Sequence, residues 1–140
     1  MKRRTFLTTL PATVLLPQLA AALTEVPYVP GLINERLDAG ETLFVDFFAP
    51  WCSTCQAQRR VIETLTAENP EYEAHITFIE VDWDTYGRSE LSMSLQIPRR
   101  STLVAIGPDR TEIGRLVAQT SQGAIKGLMD QALAVAMATA

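Results

Sequence analysis

The apolar positions of the chain repeat with two periods, and the period changes from block to block. Leu43 to Ala49 reads Leu-Phe-Val-Asp-Phe-Phe-Ala, apolar throughout except for Asp46. Such a run suits a strand covered on both faces of a sheet. Ile76 to Val81 and Thr102 to Ile106 predict two further strands. Gly107-Pro108-Asp109-Arg110 is a turn signal, after which Glu112 to Val117 pairs back as an antiparallel strand. Elsewhere the spacing is helical. Leu32, Ile33, Arg36 and Leu37 share a helix that Gly40 stops. Val61, Ile62 and Leu65 give one buried face to a helix that starts at the cysteines and ends near Glu68, ahead of Asn69-Pro70. A shorter helix is expected around Ser89 to Leu95. Ser121 is an N-cap for a last helix carrying Ile125, Leu128, Met129, Ala132 and Val135. Residues 23–31, rich in proline, are expected to be extended. Strands alternating with helices, then a hairpin and a helix, predict an α/β domain with a central mixed β-sheet flanked by helices on both faces. No internal repeat or second domain is visible.

The first residues depart from this pattern. Lys2, Arg3 and Arg4 head a mostly apolar run, Phe6 to Leu23, which Pro11, Pro17 and Gln18 interrupt and which closes on Ala20-Ala21-Ala22. A basic head, an apolar middle and a small-residue close describe a secretory signal peptide over residues 1–22, leaving 23–140 as the domain. An N-terminal core helix is the competing reading, and it rarely opens on three bases. The prolines and polar interruptions disfavour a membrane span. Arg3-Arg4-Thr5-Phe6-Leu7 resembles the twin-arginine export signal. The expected compartment is the bacterial periplasm, where disulfides form and persist. The leader is expected either to be cleaved or to be kept as an anchor.

Composition narrows the function. The chain has 140 residues, 47% of them apolar, enough for about one domain with its own core. A net charge of −4 argues against non-specific nucleic-acid binding, which needs clustered Lys and Arg. Two cysteines cannot staple a disulfide scaffold.

Those two cysteines, Cys52 and Cys55, stand three apart at the start of a helix just after the buried strand. That spacing puts both sulfurs on one face within disulfide range. The helix N-terminus stabilises a thiolate on Cys52, the nucleophile, and Cys55 sits one turn in as the resolving thiol. Other uses of the pair compete: an inert structural disulfide, half of a zinc site, or a copper site. Zinc needs two more Cys or His ligands and the chain offers only His75. Copper wants a further His or Met, and nothing ties His75 or Met93 to the pair. No cofactor or metal is therefore expected.

The stretch Phe44-Val45-Asp46-Phe47-Phe48-Ala49-Pro50-Trp51-Cys52-Ser53-Thr54-Cys55 closely resembles the active-site strand and loop of thioredoxin, typically Val-Asp-Phe-Trp-Ala-x-Trp-Cys-x-x-Cys. The element order extends the resemblance along residues 23–140, and Val117 to Met129 aligns without gaps with the family's last strand end and helix. The resemblance implies a thioredoxin fold and a thiol–disulfide oxidoreductase acting on protein disulfides or dithiols. It implies that Asp46 is a buried carboxylate that accepts the Cys55 proton. It also implies that Trp51 covers the pair and docks partners, although a plain core aromatic fits too. A monomer is expected, with a membrane electron donor or acceptor that this chain does not encode. Ser53-Thr54 is neither the Gly-Pro common in reducing thioredoxins nor the Pro-His of strong oxidants, and the resemblance favours a reductant. A redox-inert or metal-handling binding module is the alternative.

Three departures from the family follow, and a group of arginines accompanies them. Where the family has a cis-proline before a Thr-Leu strand, this chain reads Ile97-Pro98-Arg99-Arg100-Ser101-Thr102-Leu103. Either Pro98 is that proline, with two extra residues before the strand, or Ser101 occupies its place and offers an N–H or hydroxyl to the sulfurs. Arg60 stands where the family kinks the helix with proline. The family's lysine near the buried aspartate aligns with Phe78, leaving Glu80 as a substitute polar partner of Asp46. Arg59, Arg60, Arg99 and Arg100 are expected either to cluster beside the pair and attract acidic partners or to be solvated surface arginines.

Overall fold

Strand β2 (Thr42–Phe48) is buried at every position, as its mostly apolar run, broken by Asp46, leads one to expect. It is the centre of the computed structural model, which describes residues 22–140. The twin-arginine expectation and all but the last residue of the leader expected over 1–22 fall on residues 1–21 and so lie outside the described residues. On one side β2 pairs in parallel with β3 (Ile76–Asp82), and β3 pairs in parallel with the two-residue β1 (Val26–Pro27). On the other side β2 pairs antiparallel with β4 (Thr102–Ile106), which pairs antiparallel with β5 (Glu112–Val117). The mixed sheet has the order β1-β3-β2-β4-β5.

The pleat of β2 sorts its side chains to two faces. Phe44 packs with Ile62 and Leu65 of α2 (Ser53–Glu68), Tyr72 of α3 (Glu71–His75) and Ile125, Leu128 and Met129 of α6 (Gln122–Ala138). Val45 and Phe47 face the other way, onto Leu32, Ile33 and Leu37 of α1 (Leu32–Asp38). Trp83 and Tyr86 of α4 (Trp83–Tyr86) and Leu91 of α5 (Glu90–Ser94) close that second core. Fully burying each such side chain contributes about 1.5–3 kcal/mol, so both faces of the sheet anchor the site between them. Asp46 shares the parity of Phe44 and therefore lies on the α2 side.

The expected strands and long helices form within a residue or two of their predicted bounds. Gly40 closes α1 with φ 84, and Ser121 caps α6 by accepting from the Ala124 N–H. Three features go beyond the expectation. The extended segment 23–31 contributes strand β1, and the four- and five-residue helices α4 and α3 are too short for any periodicity. Ala136, and not Val135, is the buried residue at the end of α6. Among the described residues no helix is long and apolar enough to cross a membrane.

Candidate active site

The chain leaves β2, turns through Ala49, Pro50 and Trp51, and enters α2 with Cys52 as its N-cap. The Cys52 sulfur accepts a hydrogen bond from the Cys55 N–H at 3.2 Å, in place of the usual cap oxygen. Both cysteines are free thiols and both are buried. Burial alone would push the Cys52 thiol up. The hydrogen bonds it receives from Cys55 and Ser101, with the nearby Arg100 guanidinium, outweigh that and lower it to about 7. Cys55 goes the other way: burial and the neighbouring Cys52 sulfur raise it. The two thiols are thus split into an ionisable outer one and a protonated inner one.

Ser101, not Pro98, meets the sulfurs. Its hydroxyl oxygen lies 3.2 Å from Cys52 Sγ and 3.1 Å from Cys55 Sγ. Pro98 is exposed, and no peptide bond among the described residues is cis. Ser101 is wholly buried and held in the left-handed region at φ 63. Its N–H donates to the Phe47 carbonyl, and its own carbonyl accepts from the Ala118 N–H and from Gln58 Nε2. Gln58 is fully buried on α2 and also donates to the Gln119 carbonyl, tying α2 to the loops on both sides of the hairpin. The Ser53 hydroxyl is exposed, and neither it nor that of Thr54 hydrogen-bonds a sulfur.

Asp46 is 1% exposed and neither carboxylate oxygen has a hydrogen-bond partner. Burial raises it to about 7, against the pull of Arg59 and with the push of Glu80. Arg59 Nη2 is 3.5 Å from Asp46, an ion-pair distance too long for a good hydrogen bond. The same nitrogen is 2.7 Å from Glu80 and 2.7 Å from Glu25, and the guanidinium lies 3.5 Å from the Phe48 ring centre. Three carboxyl groups therefore share one guanidinium beside the pair. Burial and the Asp46 charge raise Glu25 to about 8. The strand register places Glu80 opposite Asp46 and Phe78 opposite Phe44. Glu80 is therefore the strand neighbour of Asp46, and the base near Asp46 is Arg59 of α2. Glu25 had no sequence signal, because only the pairing of β1 with β3 brings it there.

The four arginines do not cluster. Arg59 is drawn into the carboxylate group, Arg60 is exposed, and Arg99 turns back to the Arg100 carbonyl. Arg100 alone stands at the mouth, 4.5 Å over the Trp51 ring. Trp51 is 60% exposed, so it is no core aromatic, and its indole N–H donates to both oxygens of Asp84 at 2.9 and 3.0 Å. Among the described residues there is no group of three or more His, Cys, Asp and Glu side chains placed to hold a metal.

A mixed sheet wrapped by helices, with an i,i+3 cysteine pair capping the helix after its central strand, defines a dithiol protein of the thioredoxin-fold class. The thioredoxin family model matches residues 32–131, and the chain belongs to that family. It is 36% identical over 81 residues to the thioredoxin-like protein CITRX, chloroplastic, of rice (Oryza sativa subsp. indica), a match covering 56% of this chain and 40% of that one. It is 40% identical over 50 residues to a thioredoxin of Chlamydia trachomatis, covering 36% of this chain and 45% of that one. The chain thus spans less than half the length of these curated relatives. Among solved structures, Trxlp from Edwardsiella tarda superposes with a TM-score of 0.64 at 23% identity, over 74% of this chain and 95% of that one. A thioredoxin of Malassezia sympodialis gives 0.61 at 19% identity, over 81% of this chain and 97% of that one.

Proposed function

We propose that the protein is a thiol–disulfide oxidoreductase that reduces disulfides of exported proteins through Cys52 and Cys55. The observation that carries this reading is the splitting of the two thiols: Cys52 caps α2 and receives the Cys55 N–H at 3.2 Å, while Cys55 is buried behind it. The Cys52 thiolate attacks a substrate disulfide, forming a mixed disulfide and releasing one substrate thiolate. Cys55 gives its proton to Asp46 and attacks the Cys52 sulfur, and the second substrate thiolate leaves. Protons from Asp46 and solvent neutralise the two departing thiolates. The Cys52–Cys55 disulfide that remains is returned to the dithiol by two electrons from a membrane donor.

A Cys52 thiol near neutrality resembles that of reducing thioredoxins more than that of strong oxidants, which supports the reductive direction. Export rests on the basic head, apolar middle and Ala20-Ala21-Ala22 close of the sequence, with the periplasm as the compartment and the twin arginines as the route. Fusing residues 1–30 to a folded reporter tests it: export should stop in cells lacking the twin-arginine translocase. No observation at the site favours the alternative of a redox-inert or metal-handling module. Alkylating the protein before and after mild oxidation, and weighing the products, separates the two. The oxidoreductase loses both alkylation sites together on oxidation and regains both on reduction; a pair that never changes is a binding module.

A further inference from the structure

We propose that Ser101 is a catalytic residue whose single hydroxyl proton serves each sulfur in turn, Cys52 when it attacks the substrate and Cys55 when it resolves the mixed disulfide. The inference rests on the oxidoreductase reading above. Its warrant is the position of Ser101 Oγ, 3.2 Å from one sulfur and 3.1 Å from the other, on a residue that is itself wholly buried. A serine hydroxyl carries one donor hydrogen and two acceptor lone pairs, and the hydrogen rotates freely. With Cys52 ionised, the hydroxyl donates to the Cys52 thiolate and accepts from the Cys55 S–H. Once Cys52 is bound in the mixed disulfide it carries no charge. The hydroxyl then turns to donate to Cys55 as that thiol loses its proton to Asp46. The serine keeps its own proton throughout, so no step needs a further acid, base or oxidant.

The backbone is built for this. The Ser101 N–H is committed to the Phe47 carbonyl, and its carbonyl is held by both Ala118 N–H and Gln58 Nε2. Every polar group of the residue is fixed except the hydroxyl, so the moving part is one hydrogen. A proline in this place, as in the family, has no hydroxyl to offer.

Ser101→Ala and Ser101→Gly both delete the hydroxyl, but they differ in the backbone: glycine relaxes at φ 63 and alanine does not. A structural role would separate the two variants, whereas loss of the hydroxyl affects them alike. A hydrogen bond to a charged sulfur is expected to be worth about tenfold in ionisation, so the Cys52 thiolate titration should rise by about one pH unit in both. A more basic thiolate is also a better nucleophile by about threefold. Near about pH 6, each step should therefore slow by about threefold. The two steps are read separately with an aromatic disulfide that releases one coloured thiolate on attack by Cys52 and a second on resolution by Cys55. A higher thiolate titration with both steps slowed in both variants is the result the proposal requires. A raised titration with an unchanged second step overturns the two-sulfur role, and unchanged titration and rates overturn the proposal entirely. If the wild-type protein itself never releases the second thiolate, the oxidoreductase reading fails and the proposal goes with it.

Discussion

Replacing Asp46 by asparagine removes a buried charge while keeping the side chain's shape. Asp46 is 1% exposed and its oxygens have no hydrogen-bond partner, so ionising it in the folded chain is costly. The carboxyl rises from an ordinary 3.8 to about 7 on folding. Between those two values the folded chain holds a proton that the unfolded chain has released. Stability therefore falls as pH rises through that window, and the loss is complete above the folded value. A window of about three pH units corresponds to about 4 kcal/mol. The side-chain amide of Asp46→Asn behaves like the protonated acid at every pH. The variant should therefore match the wild type near about pH 4 and exceed it by about 4 kcal/mol near about pH 8. Glu25 moves in the same direction, because the Asp46 charge is one of the causes that raise it. The assay is urea unfolding of the reduced protein across that range, with stabilities taken by linear extrapolation. A difference that does not grow with pH, or a variant less stable than wild type near about pH 8, would refute the assignment of Asp46 as a destabilising buried acid.

Three further outcomes follow from the same geometry. Gln58→Leu deprives the Ser101 and Gln119 carbonyls of their buried donor and should lower stability by about 1–3 kcal/mol, seen as a lower urea midpoint with an unchanged slope. Arg100→Ala removes the guanidinium that helps lower the Cys52 thiol, so the thiolate's ultraviolet absorbance should appear at higher pH; an identical titration would remove Arg100 from the site's electrostatics. Cys55→Ala should accumulate mixed disulfides on Cys52 in oxidised extracts, and Cys52→Ala should accumulate none; the opposite pattern would exchange the two roles.

The apolar run on both sides of Asp46 announced a strand covered on both faces, and the α/β order followed from the alternation on either side of it. The thioredoxin fold was legible for that reason, as were the Cys52–Cys55 spacing and its place at a helix start. What could not be read were contacts made across sheet registers. Glu25 reaches Arg59 only because two residues of β1 pair with β3, a strand too short to leave a period. Phe78 and Glu80 lie on the same face of β3, two residues apart, and only the pairing with β2 shows which of them opposes Asp46. The arginines were legible as charges but not as four separate fates, because each depends on which carboxylate, carbonyl or ring lies within reach. Pro98 and Ser101 were both admissible from sequence; the Ser101 N–H on the Phe47 carbonyl decides which of them faces the sulfurs.

The central claim is that Cys52 and Cys55 form one redox couple poised as a reductant. Equilibrating the protein against dithiol buffers of known potential, and counting free thiols at each, tests it most directly. A single two-electron transition near about −270 mV, the range of reducing thioredoxins, is the predicted result. Two thiols that oxidise independently, or a pair that does not change between about −120 and −300 mV, would contradict it.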